Sequence, residues 1–158
     1  MKSLLPQNVL QIAFVVDDVE KYLEMYARLF GVETPDTTLT GSYEETQSSY
    51  LGEPTEGRAR VGYIPLENIL LEFIEPVDGP SVWQDCLERN GNGIHHIAFI
   101  VNGVKQVIDD LEDFGLPLLQ HGNFPAAANV PGGKYAYLQG LDELGFDVEL
   151  LEFEGRDK

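Results

Sequence analysis

Residues 11–18 read Gln-Ile-Ala-Phe-Val-Val-Asp-Asp, and residues 96–103 read His-Ile-Ala-Phe-Ile-Val-Asn-Gly. One strand is written twice, and each copy opens on a side chain that can bind a metal. A second pair follows the same plan. Leu-Leu-Glu-Phe-Ile-Glu at 70–75 is echoed by Val-Glu-Leu-Leu-Glu at 148–152, which puts Glu72 and Glu149 in corresponding places. Internal self-similarity of this kind marks a duplicated supersecondary unit. A unit with one ligand near its start and another near its end can set four ligands around one point.

The rest of the chain fits around these strands. Val9–Val16 is apolar and β-branched. Asp17 and Asp18 then offer N-caps, and apolar residues at 19, 22, 23, 26, 29 and 30 have helical spacing, with Gly31 as the C′ residue. From Glu33 to Glu75 the signals are strand and turn. Ser42–Tyr50 is polar and carries no clear signal, and Arg58–Pro65 with Ile69–Glu75 reads as a hairpin. The first module, about 8–76, is therefore β-α-β-β-β. A connection with a short helix over about 80–92, around Trp83, leads through Asn-Gly-Asn-Gly into the second module, about 93–153. There Ile94–Val101 is a strand, Val104–Phe114 a helix stopped by Gly115, and Leu116–Gln120 a short strand. Residues 122–133 read as a Gly/Pro/Ala/Asn loop, before strands at Lys134–Gln139 and Phe146–Phe153. The class is α+β, with residues 1–158 as one domain of two modules.

Composition narrows the functions. The net charge is −17, which argues against nucleic acid and against an anionic membrane surface as partners. It favours a divalent cation, although most of it reads as an acidic, solubilising surface. One cysteine, Cys86, excludes an internal disulfide and fits a reducing compartment. It shares a helical face with Val82, Trp83 and Leu87 and reads as core. No apolar run reaches transmembrane length and the N-terminus does not read as a signal peptide, so the cytoplasm is the expected location.

Alternation along the strands puts Gln11 with Ala13 and Val15, His96 with Ala98, Glu72 with Leu70 and Ile74, and Glu149 with Asp147 and Leu151. A carboxylate inside an apolar strand is costly to bury alone. Two at matching places call for a cation. An imidazole, two carboxylates and an amide oxygen suit Zn²⁺, Ni²⁺, Co²⁺ or Mn²⁺. Taken singly, each residue also fits an ordinary outward polar position; the paired placement favours one divalent ion. By the same alternation His95 points to the opposite face, as a structural or surface residue, and His121 sits before the Gly-rich loop.

These residues resemble the vicinal oxygen chelate superfamily, also called the glyoxalase/bleomycin-resistance/dioxygenase family, over about 8–153. The resemblance implies paired βαβββ modules forming a cupped mixed sheet around a divalent metal, with ligands at Gln11, Glu72, His96 and Glu149. The segments 86–101 and 56–72 are most similar to methylmalonyl-CoA epimerases. That likeness implies Glu149 as one acid/base residue and Glu56 near the place of the other. Epimerases usually have histidine at the position of Gln11; a Gln/Glu/His/Glu set resembles some glyoxalase I enzymes, where Glu149 and Glu72 would be the pair.

Three functions follow: an epimerase of a 2-substituted acyl-CoA, a glyoxalase I-type lactoylglutathione lyase acting on a thiol hemithioacetal, or a metal-free binding protein of the bleomycin-resistance kind. A polyanionic CoA substrate would need a local basic patch, for which Arg58, Arg60 and Lys134 are candidates. Exposed sheet edges and the resemblance imply a homodimer.

Overall fold

The computed structural model describes residues 1–156. In chain order its elements are β1 (Gln11–Val15), α1 (Val19–Phe30), β2 (Thr38–Leu39), α2 (Tyr43–Thr46), β3 (Ser49–Tyr50), β4 (Glu53–Pro54), β5 (Arg58–Pro65), β6 (Leu70–Asp78), α3 (Val82–Asn90), β7 (Gly93–Ile100), α4 (Val104–Phe114), β8 (Leu118–Phe124), β9 (Gly133–Leu138), α5 (Leu141–Leu144) and β10 (Asp147–Phe153). All ten strands form one curled mixed sheet in the order β2-β5-β6-β1-β7-β10-β9-β8-β3-β4. The two copies of the repeated strand, β1 and β7, pair antiparallel at its centre. On either side the echoed strands run parallel to them, β6 beside β1 and β10 beside β7.

Local chemistry explains the two long helices. Asp18 caps α1 by accepting from the Lys21 amide at 3.1 Å, and Gly31 ends it at φ 69°, a conformation glycine adopts without strain. The echoed strands supply a second cap. Glu75 on β6 accepts from the Val19 amide at 3.1 Å, and Glu152 on β10 accepts from the Val104 amide. Each module thus turns its later glutamate onto the first turn of its own helix, where a negative charge is favoured. Glu72 and Glu149, three residues earlier, are left on the other face.

Three apolar clusters fill the molecule. Val16, Val19, Leu23, Ile64, Leu71 and Phe73 pack α1 on the outer face of the first module. Phe99, Val104, Leu111, Leu138, Val148 and Leu150 pack α4 on the outer face of the second. The third lies on the inner face, where Val82, Trp83 and Cys86 of α3 meet Ala13, Val15, Ile74 and Tyr137. The connecting helix therefore closes part of the cup instead of linking two lobes. Trp83 is 6% exposed, and its indole donates to the Tyr137 hydroxyl at 3.2 Å. Trp83→Ala is expected to cost about 3–5 kcal/mol of folding stability, read as a shift of the urea midpoint.

Three expectations change. The segment 49–54 does not stay with the first module: β3 pairs with β8 and β4 with β3, extending the second module's edge. Strand β8 continues to Phe124, so the loop begins at 125 and not 122. Both sheet edges, β2 and β4, are strands of two residues. Edges this short blunt strand-to-strand association, which removes the edge-based argument for a homodimer. Among the described residues, no helix is long and apolar enough to cross a membrane.

Candidate metal centre

The central four strands bring the candidate ligands into two adjacent rows. Ala13 pairs with Glu72 on one side and His96 on the other; Gln11 and Glu149 both pair with Ala98. Period-two alternation then turns all four side chains into the cup. They are buried, with Gln11 4%, Glu72 6%, His96 0% and Glu149 5% exposed. One donor atom each from Glu72, His96 and Glu149 lies within 4.8 Å of the others. His96 Nε2 is 2.9 Å from Glu149 Oε2 and 3.4 Å from Glu72 Oε1. The Gln11 amide donates to Glu72 at 3.2 Å and to Glu149 at 3.0 Å.

This set fits a divalent ion. His96 Nε2 is buried and makes no hydrogen bond of acceptable geometry, despite its closeness to both carboxylates. Two buried carboxylates gathered around one imidazole edge form an anionic pocket that a cation neutralises. The donors are one nitrogen and several oxygens, with no thiolate, which is the preference of Zn²⁺, Ni²⁺, Co²⁺ and Mn²⁺. Gln11 carries at the same terminus an amide oxygen able to face a cation.

The electrostatics agree. Burial alone would lower the His96 pKa, but the charges and close-lying oxygens of Glu149 and Glu72 overcome it and push it up to about 9. A proton therefore occupies His96 at neutral pH when no ion does. Metal binding must displace it, so affinity for Co²⁺ is expected to fall as pH drops below about 9, with a proton released per ion bound. Calorimetric titration in buffers of different ionisation enthalpy checks both. Tyr63 on β5, paired with Glu72 on β6, has its phenol held well above the ordinary value, first by the Glu72 charge and then by burial. Tyr137, across β9 from Glu149, is likewise raised, by burial first and then by Glu149 and Glu72. Both stand as neutral hydroxyls around the carboxylates.

Other candidates fall elsewhere. Glu56 is exposed, in the turn before β5. That turn is tied to the start of α3 by Thr55 Oγ1 donating to the Pro80 carbonyl at 2.6 Å. His121 is exposed on β8, opposite Ser49. Cys86 is buried at 8%, and burial pushes its thiol up, as befits a core residue. The basic patch does not assemble in the cup. The Arg58 guanidinium is taken up by the Thr40 carbonyl, at 2.9 and 2.7 Å. Arg60 alternates with Val61 of the inner cluster, and Lys134 lies opposite Glu152, so both belong to the outer face.

His95 is the clearest correction. Ala13 faces His96 while Phe14 faces Ile94, so His95 is the extra residue of a β-bulge. The bulge breaks alternation and turns His95 inward. It is 4% exposed, with Nδ1 2.8 Å from His96 Nδ1 and its ring against Tyr137. Its other nitrogen, Nε2, lies 3.3 Å from Asp147 Oδ2. Burial lowers the His95 pKa, against the pull of Asp147. No local signal in the sequence marks the bulge. A cavity of about 170 Å³ borders His95, Asp147 and Cys86 but touches none of the four candidate ligands.

Residues 10–137 match the Glyoxalase/Bleomycin resistance protein/Dioxygenase superfamily, and the chain belongs to it. The matched range holds Gln11, Glu72 and His96 and stops short of Glu149. The chain is 34% identical over 101 residues to the uncharacterized protein YqjC of Bacillus subtilis (strain 168), covering 63% of this chain and 69% of that one. It is 29% identical over 140 residues to an ethylmalonyl-CoA/methylmalonyl-CoA epimerase of Cereibacter sphaeroides, covering 88% and 92%. Among solved structures, a variant of the Streptomyces coelicolor methylmalonyl-CoA epimerase in complex with 2-nitronate-propionyl-CoA superposes with a TM-score of 0.63 at 22% identity, covering 99% of each chain. At that identity the likeness is one of fold.

Proposed function

We propose that this protein is a metal-dependent epimerase that moves the proton α to the thioester of a 2-substituted acyl-CoA. The observation that carries the reading is the meeting of Glu72, His96 and Glu149 within 4.8 Å in a buried cup. The Cereibacter sphaeroides relative, named for ethylmalonyl-CoA and methylmalonyl-CoA, supports the substrate class over a hemithioacetal.

Gln11, Glu72, His96 and Glu149 would hold the ion, which supplies Lewis-acid polarisation of the substrate carbonyl when bound. Glu149 removes the α-proton as general base. Tyr63 and Tyr137, kept neutral beside the carboxylates, can donate but do not compete as bases. The proton returns on the opposite face of the planar carbanion, and Glu56 is the acid proposed for that step. Its turn is fastened against α3, which already lies in the cup. Glu56→Gln should block epimerisation while Glu149 still exchanges the α-proton of one epimer. A silent Glu56→Gln would transfer the role to Glu72. We also propose, from family likeness, that the active form is a homodimer; sedimentation showing only monomer at micromolar concentration contradicts this.

Solvent deuterium tests the reaction. Metal-loaded protein in D₂O should place deuterium at C2 of methylmalonyl-CoA and leave a methylglyoxal–thiol adduct unturned. The reverse pattern would replace the epimerase reading by the glyoxalase one.

A further inference from the structure

We infer that Asp147 and His95 act as positioning residues that select the ring tautomer of His96, and so decide which of its nitrogens is free for an ion. This rests on the metal reading of the site. The contacts run in one line. Gly140 N–H donates to Asp147 Oδ1 at 3.0 Å. Asp147 Oδ2 lies 3.3 Å from His95 Nε2, close enough for charge to act, although this nitrogen, like His96 Nε2, makes no hydrogen bond of acceptable geometry. His95 Nδ1 lies 2.8 Å from His96 Nδ1, and His96 Nε2 faces Glu72 and Glu149.

Only one arrangement of protons satisfies this line. A carboxylate can only accept, so the His95 nitrogen beside it must carry the hydrogen. A neutral imidazole has one N–H, which leaves His95 Nδ1 as an acceptor. His96 must then donate from Nδ1, and its Nε2 is the nitrogen left to bind an ion. With the opposite assignment, the His95 Nε2 lone pair would face a carboxylate inside a buried site. Metal-binding histidines commonly have the other ring nitrogen held by a carboxylate or carbonyl. Here one imidazole is interposed, and the β-bulge at His95 makes this possible.

Asp147→Asn is the discriminating substitution. Gly140 N–H keeps the amide oxygen at the Oδ1 position, so the NH₂ group replaces Oδ2 and donates to His95. His95 must then carry its hydrogen on Nδ1 and donate to His96 Nδ1, which puts the His96 hydrogen on Nε2. His95→Gln can still accept from His96 and donate to Asp147; His95→Phe can do neither.

The test uses the full chain stripped of metal, with the ring hydrogens read above the His96 pKa of about 9, where both imidazoles are neutral, and with Co²⁺ alone as the probe of affinity. Long-range ¹H–¹⁵N correlation should show wild-type His95 protonated on Nε2, and on Nδ1 in Asp147→Asn. Co²⁺ affinity should fall roughly 10–100-fold in Asp147→Asn, the usual range for outer-shell partners, and similarly in His95→Phe. His95→Gln should stay near wild type. A merely structural role would alter stability without reversing the tautomer. Wild-type His95 protonated on Nδ1, or an Asp147→Asn protein with the wild-type tautomer, would overturn the inference. Reversal of the tautomer in a protein that takes up no Co²⁺ would uphold the proton order and remove the metal reading instead.

Discussion

Replacing Glu149 by glutamine is expected to lower kcat by about 10²–10⁴-fold, the usual cost of losing a general base, with little change in KM. Glutamine keeps the shape and one oxygen of the side chain but not its basicity. Gln11, Glu72 and His96 remain in place, so the variant should still bind an ion, more weakly than wild type. The base acts on the proton in flight and not on the bound substrate, which puts the loss in kcat. Solvent exchange of the α-proton in metal-loaded Glu149→Gln, at the wild-type rate, would exclude Glu149 as base and point to Glu72. The prediction does not depend on which thioester is the substrate, because any α-proton transfer at this centre needs a base on the cup face.

The second large effect concerns stability. His96→Ala should destabilise the metal-free protein by about 3–5 kcal/mol near neutral pH, the cost of removing one partner from a buried ion pair. Glu72 and Glu149 would be left facing each other with only the Gln11 amide between them. The pH dependence separates this from a simple cavity. The folded pKa of His96 is raised to about 9 from an ordinary value near 6.5. A raised pKa contributes stability that is complete below the unfolded value and disappears as pH rises through the folded one. The difference between wild type and His96→Ala in urea should therefore be largest below about pH 6.5 and shrink through pH 9. A difference independent of pH would mean that His96 acts in the metal-free fold only by its volume.

Much of this arrangement was legible in the sequence because duplication records geometry. Two copies of one strand that meet at a pseudo-twofold put matching positions on matching faces. Reading Gln11 against His96, and Glu72 against Glu149, therefore anticipates four side chains turned toward one point. Periodicity likewise located α1 and α4, whose apolar stripes and glycine stops are local properties. What escaped was non-local. The departure of 49–54 to the far edge of the sheet depends on β3 finding β8, and no short-range signal announces a partner about 70 residues away. Glu75 and Glu152 sit in the same echo as the candidate ligands, yet they serve helix termini, a role visible only once α1 and α4 are docked. Alternation puts His95 on the wrong face because it assumes a regular ladder, and one inserted residue inverts it. Alternation does put Asp147 beside Glu149 on the inner face, but without His95 turned inward Asp147 has nothing there to act on. The basic residues form no patch for a similar reason: nearness along the chain does not set where a charge lies, whereas strand faces do.

We propose that Gln11, Glu72, His96 and Glu149 hold one divalent ion. Elemental analysis of protein purified without chelator, then reloaded and desalted, decides this when wild type and His96→Ala are measured side by side. The expected result is one ion per chain in wild type and almost none in His96→Ala. Equal, near-zero metal in both after reloading would contradict it, and with it every step assigned to these residues as ligands.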